Sequence, residues 1–267
     1  MSDLSYESVS SGFREAVRKQ FSAEQFHYLP ETGSTNDDLL DRIRRKKARH
    51  LDLVVTDLQH QGRGRRGDRW EAPSGRNLLF SLALKLEEPK AIWCRLPHLA
   101  AFVLGKVVES VLTVSGKIQA KWPNDLLFDE KKLAGILVET VLVPEPYAVV
   151  GIGLNVNVRA TEFPEELRAI ATSIYELEKC ESSRSFLLSE IISGFVSLYP
   201  NMLTNFDEVR EWLHSRSVLS GRDIEVVTAE GTVRGIGAGL GEDGELIVNQ
   251  GDRGNKSILS AERVLFR

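Results

Sequence analysis

Two apolar runs, Leu53-Val54-Val55 and Leu78-Leu79-Phe80-Ser81-Leu82-Ala83-Leu84, read as buried strands. Residues 59–77 between them do not. They read Gln-His-Gln-Gly-Arg-Gly-Arg-Arg-Gly-Asp-Arg-Trp-Glu-Ala-Pro-Ser-Gly-Arg-Asn, with five arginines (Arg63, Arg65, Arg66, Arg69, Arg76) and four glycines (Gly62, Gly64, Gly67, Gly75). Loops of this length inside compact domains are uncommon and usually functional or disordered. Glycine lets the backbone approach a ligand closely. Arginine offers permanently charged, forked donors that suit carboxylate and phosphate. The combination predicts a mobile cationic loop that orders around an anion; the plain alternative is a solvated basic loop.

A scaffold for that loop has to come from the rest of the chain. With 267 residues, 42% of them hydrophobic, there is enough for one large domain and a small one. The net charge of −4 argues against general nucleic-acid binding, since positive charge is concentrated in the loop. No run approaches the length of a membrane span. The opening Met-Ser-Asp-Leu-Ser-Tyr-Glu is polar and acidic, unlike a secretory leader. Cys94 and Cys180 have no metal-ligand spacing and read as free thiols in a reducing cytosol. A cytoplasmic protein is expected.

Taken in order, residues 12–21 predict a short amphipathic helix. In Gly33-Ser34-Thr35-Asn36-Asp37-Asp38, Ser34 or Thr35 is expected to cap a helix whose first turn carries the two acids. Residues 92–115 predict a long buried helix with Pro97 in its first turns and Gly116 as its stop. Ala120 to Phe128 reads as strand, turn, strand, with Pro123-Asn124-Asp125 at the turn. Lys132 to Glu139 and Tyr147 to Val158 read as further strands, the glycines of the second marking a close approach. Residues 163–216 look helical. From Gly221 short strands and turns alternate, as in a small barrel. The expected fold is therefore α/β: a mixed sheet with helices on one face, residues 1–218, followed by a small barrel resembling a Src-homology-3 domain, residues 219–267.

Gly62-Arg-Gly64-Arg-Arg-Gly67 formally fits the dinucleotide fingerprint, but Pro73 and Gly75 leave no room for the helix it should open. Gly239-Leu-Gly241-Glu-Asp-Gly244 fits the same pattern within a hairpin, so the pattern alone carries little. His27, His50, His60, His98 and His214 are scattered and form no metal motif.

Four segments together are more specific. Ser34-Thr35-Asn36, the arginine–glycine loop, Lys121-Trp-Pro-Asn-Asp125 with Lys132-Leu-Ala-Gly135, and Gly151-Ile-Gly-Leu-Asn155 occur in that order. This set resembles the biotin–protein ligases over roughly residues 25–267. The resemblance implies activation of biotin with ATP, then transfer to a lysine of a biotin carboxyl carrier protein, with Mg²⁺ accompanying ATP. It implies that Lys132 bridges the biotin carboxylate and the α-phosphate, with Arg63 and Arg65 clamping both. Ser34, Thr35, Asn36 and Gln59 would surround the ureido ring, Gly64 would allow close approach, and Gly135 and Gly153 would leave room for ligand. Lys121, Asn124 and Asp125 fall at the nucleotide end, with Arg66, Trp70 and Asn155 toward the adenylate. Asp125 would hold Mg²⁺ or orient the carrier lysine, and the choice is open. Lys132 as a strand-edge lysine, Trp70 as a core aromatic, and Arg66 or Arg69 as solvated cations are the competing readings. Only about thirty residues precede the first motif, so the DNA-binding segment of repressor-type ligases is not expected. A homodimer is compatible with this reading. The rival enzyme is a lipoate–protein ligase; the rival of another class is a non-catalytic biotin sensor.

Overall fold

The computed structural model describes residues 3–13, 15–199 and 201–266. The larger sheet comprises β1 (Phe26–Thr32), β2 (Leu53–Gln59), β3 (Leu78–Lys85), β4 (Ile118–Lys121), β5 (Asp125–Phe128), β6 (Lys131–Val141) and β7 (Tyr147–Leu154). Its spatial order is β1-β2-β3-β7-β6-β5-β4. β1 and β2 are parallel and the remaining neighbours antiparallel. The helices are α1 (Tyr6–Ser10), α2 (Glu15–Arg18), α3 (Thr35–Arg44), α4 (Leu96–Val111), α5 (Ile174–Glu178), α6 (Arg184–Leu198), α7 (Asn201–Thr204) and α8 (Asp207–Arg216).

Strand alternation explains the layers. Leu78, Phe80, Leu82 and Leu84 of β3 join the main core with α4 and α6. Ala83, Val54 and Val149 point the other way, against Leu39, Leu40 and Ile43 of α3. Most helices thus gather on one face, while α3 crosses the other. That second face is where the sheet loses its side chains. Ser81 stands opposite Gly151, and Leu79 opposite Gly153, which in turn faces Gly135. The glycines leave a trough along two adjacent strands.

The second sheet comprises β8 (Asp223–Thr228), β9 (Gly231–Leu240), β10 (Leu246–Asn249), β11 (Asn255–Ile258) and β12 (Arg263–Phe266). Its order, β11-β10-β9-β8-β12, is fully antiparallel and is that of a Src-homology-3-like barrel. Ile224, Val226, Val233, Leu246, Val248 and Val264 form its interior, and Trp122 of the β4–β5 turn and Leu127 of β5 insert into the same cluster. The Trp122 indole donates to the Gly244 carbonyl at 2.9 Å. Arg95 meets Asp243 at 2.7 Å. Both contacts fix the hairpin between β9 and β10.

Several expectations shift. The helix over 12–21 is one turn at Glu15–Arg18, although Phe13, Val17 and Phe21 are buried as expected, and Arg14 lies outside the described residues. The segment before α4 is a 3₁₀ turn, Lys90–Arg95. α4 ends at Val111, where Leu112 turns extended, so Gly116 is no cap. Gly116 instead leaves space for the Phe128 ring. β7 stops at Leu154, where the Asn155 N–H turns to the Leu133 carbonyl. Residues 163–173 contain a 3₁₀ turn after Pro164 and no α-helix. Residues 90–111 are long and apolar enough to cross a membrane by length and composition, which counting unbroken apolar runs passed over. Here Leu96, Leu99, Phe102 and Val103 are packed into the main core. Cys94 and Cys180 are free and exposed.

Candidate active site

The trough is roofed by the arginine loop and walled by β5, β6 and the barrel. It encloses a cleft of about 320 Å³. Ser34, Thr35, Asn36, Gln59, Arg63, Gly64, Arg65, Arg66, Trp70, Lys121, Asn124, Asp125, Lys132 and Gly135 all line it. Residues from four separate stretches of sequence therefore share one cavity.

At one end the groups are polar and buried. Ser34 occupies the N-cap position of α3, but neither its hydroxyl nor that of Thr35 caps the helix. Thr35 is engaged elsewhere. Its N–H donates to Gln59 Oε1 at 2.9 Å, and its hydroxyl lies 3.1 Å from the same oxygen and 2.6 Å from Ser81 Oγ. Ser81 donates to Asn36 Oδ1 at 2.5 Å, and Asn36 Nδ2 donates to Glu139 Oε2 at 2.8 Å. Only a glycine at 151 admits Asn36, since a Cβ there would overlap its amide oxygen.

Lys132 and Asp125 define the other end, 2.9 Å apart as an ion pair. Lys132 Nζ also lies 5.5 Å from the centre of the Trp70 ring, within cation–π range. Trp70 is no core aromatic. Its ring lies on Gly153 and Gly135, where a Cβ would collide with it. Its indole N–H is buried and has no partner among the described residues, an orphan donor inside the cleft. The room those glycines were expected to leave for ligand is taken by this ring.

The loop itself is a 3₁₀ turn, Arg65–Gly67, and opens no helix. Arg65 Nη2 donates to the Ala261 carbonyl at 3.3 Å. Arg66 reaches Ser260 Oγ at 3.3 Å and Glu262 at 3.1 Å. Burial lowers the Arg65 pKa, with Arg66 adding to the effect and Asp125 opposing it. Burial likewise lowers that of Lys121, whose ammonium lies over the Phe266 ring at 5.3 Å. Partly desolvated cations of this kind bind an arriving anion more strongly than solvated ones.

Two expected placements differ. Arg63 is not beside Lys132: it pairs with Asp37 at 2.7 Å and Glu139 at 2.8 Å. Glu139 is four residues along β6 from Gly135, about 13 Å by strand rise. Asn155 is buried outside the cleft, where its Nδ2 donates to the Thr172 carbonyl at 3.0 Å and its Oδ1 accepts from Asn77. Asp125 lines the cleft as expected and pairs with Lys132; no group of three His, Cys, Asp or Glu residues among the described residues suits a metal. Arg69 is exposed. Sequence reasoning missed Ser81, Glu139 and the Ala261–Leu265 wall. The first two are visible as polar residues in apolar strands; the third has no local signal.

A model of the biotin/lipoate A/B protein ligase family matches residues 28–157. The chain is 31% identical over 234 residues to the biotin–[acetyl-CoA-carboxylase] ligase of Mycobacterium tuberculosis, covering 86% of this chain and 85% of that protein. This chain belongs to the biotin–protein ligase family. It is 32% identical over 213 residues to the bifunctional ligase/repressor BirA of Bacillus subtilis, covering 79% of this chain but 65% of that protein. The match therefore spans just under two thirds of that longer relative. Among solved structures, the biotin protein ligase of Aquifex aeolicus in complex with biotin and ATP is similar, with a TM-score of 0.73, 29% identity, and coverage of 91% of this chain and 99% of that one. Family membership accounts for the order of the four segments along the chain. The cleft geometry says how they meet.

Proposed function

We propose that the chain is an ATP-dependent biotin–protein ligase of the cytoplasm. A carboxylate oxygen of biotin attacks the α-phosphorus of ATP, forming biotinyl-5'-AMP as pyrophosphate leaves. The ε-amine of a carrier lysine then attacks the acyl carbon; an amide forms, AMP departs and a proton is lost. The carrier is a biotin carboxyl carrier protein, such as an acetyl-CoA carboxylase subunit. The observation that carries this reading is the meeting of Lys132 and Arg65 in one cleft under the orphan indole of Trp70.

Two anions must approach each other for the first step, so fixed cations have to offset their repulsion. Lys132 leaves Asp125 to sit between the biotin carboxylate and the α-phosphate. Arg65 covers the same point from the loop, and Trp70 packs on the intermediate and gives its N–H to it. Ser34, Thr35 and Gln59 take the ureido ring, which needs paired donors and acceptors. Lys121, Asn124 and Arg66 face the nucleotide. Asn155 is reassigned to scaffold, bracing the segment that carries Lys132. Arg63 belongs with the polar end. Mg²⁺ would arrive on the ATP phosphates rather than in a protein-built site. An acyl-adenylate is open to water, so the roof also protects it. We take residues 1–218 and 219–267 as two domains, supported by the separate barrel core.

Incubation with biotin, ATP, Mg²⁺ and a carboxyl carrier domain is expected to raise the carrier mass by one biotinyl group. Biotin-dependent ATP–pyrophosphate exchange is expected as well. Exchange with lipoate in place of biotin would favour the lipoate ligases; biotin binding without exchange would favour a sensor.

A further inference from the structure

We propose that Glu139 is a positioning residue: it sets the hydrogen-bond polarity of the cleft's polar end and ties that setting to the arginine loop. The inference rests on the biotin reading given above and adds to it two residues, Glu139 and Ser81, that touch no reacting atom.

An ionised carboxylate only accepts. Asn36 must therefore turn its NH₂ toward Glu139, 2.8 Å away, because the flipped amide would set its oxygen against the carboxylate. That orientation leaves Asn36 Oδ1 facing Ser81, which spends its single hydroxyl proton there at 2.5 Å. Ser81 is then only an acceptor toward Thr35 at 2.6 Å, so the Thr35 proton goes to Ser81 in preference to the longer contact with Gln59. The Thr35 oxygen keeps a lone pair for the cleft. Gln59 Oε1 is held by the Thr35 N–H at 2.9 Å, which leaves its NH₂ as a donor. One acceptor and one donor at fixed positions match a cyclic urea, which has N–H donors flanking a carbonyl.

The inner part of the relay, beyond the half-buried Glu139, is closed to solvent. Ser81 and Asn36 are 0% and 4% exposed, so an error in polarity has no water to repair it. Gly151 is the opening through which Asn36 enters the sheet face. Outside the relay, the second oxygen of Glu139 lies 3.2 Å from Arg63 Nη1, and Asp37 holds the same guanidinium at 2.7 Å. The carboxylate that sets the ring-binding end thus also anchors the loop's first arginine.

The test measures biotin affinity calorimetrically without ATP, and KM for ATP separately, on the full chain. Glu139→Ala and Ser81→Ala are each expected to weaken biotin at least about tenfold, as a buried polar group left unpaired would. KM for ATP should stay within about twofold, a split that general loosening of the fold would not produce. Because both act on one relay, the double variant should lose no more than about the larger single loss. Glu139→Gln keeps an amide oxygen for Asn36 but drops the charge on Arg63. It should hold biotin within about threefold while the loop becomes more readily cut by trypsin. The proposal is overturned if Glu139→Ala leaves biotin affinity within twofold, if the two losses multiply, or if Glu139→Gln is as impaired as Glu139→Ala. Should Glu139→Ala not fold, Ser81→Ala and Glu139→Gln carry the same decision. A parent protein that binds no biotin would instead overturn the functional reading, and this inference with it.

Discussion

The two ends of the cleft are held in different ways. The polar end rests on the first turn of α3 packed against β3: Thr35, Asn36 and Ser81 are buried, and each bond is matched by the next. The cationic end rests on a loop that leans on a distant part of the chain, Arg65 touching the Ala261 carbonyl 196 residues away. On the function proposed above, a fixed set of hydrogen bonds suits a neutral ring whose bonding does not change during reaction. Cations carried on a loop suit anions and an intermediate that has to be covered. Recognition and protection would then fall to different parts of one cavity.

Perturbing each end separately sharpens that division. Lys132→Ala should cut biotin-dependent ATP–pyrophosphate exchange by about 10²–10³-fold. Biotin affinity without ATP should fall far less; a parallel collapse of both would break the comparison. Acidification should act next, through the barrel. Burial depresses the His98 pKa to about 4, with the Gly244 backbone partly opposing. The unfolded chain takes up this proton near 6.5. Stability from the neutral ring is therefore complete above that value and is lost as pH falls toward 4, by roughly 3 kcal/mol at most. The β9–β10 hairpin packs on His98, so unfolding midpoints should drop across this window and adenylate retention with them. Midpoints flat between pH 7 and 5 would count against it. Arg65→Gly should still form adenylate but release it about tenfold faster, as loss of a charge-assisted bond suggests. Retention equal to the parent's would show that the loop does not protect. Trp122→Phe should cost about 1 kcal/mol in thermal unfolding through the lost bond to Gly244.

How much of this was readable beforehand depends on how local each signal is. The strands at 53–59 and 78–85 announced themselves by unbroken apolar runs, and the arginine loop by the mismatch between its composition and theirs. The glycines at 151 and 153 signalled close approach, but not what approaches: an amide of the same protein at the first, a ring at the second. Phe13, Val17 and Phe21 fit a helical spacing because all three are buried, although only a single turn formed among them. The family resemblance alone assigns Asn155 to the adenylate; its amide donates to the Thr172 carbonyl and accepts from the Asn77 side chain. Ala261 to Leu265 carry no mark of a site at all. They reach it only because the barrel folds back on β4 and β5 through Trp122, a long-range contact that no short window contains.

Trp70 sits where Gly135 and Gly153 leave the sheet bare, and it belongs to the same loop as Arg65. The flap thus clothes that strip of β-sheet with one of its own side chains. Any movement that lifts the flap would bare the strip to water, so opening would carry a cost in exposed surface that a loop without Trp70 would not.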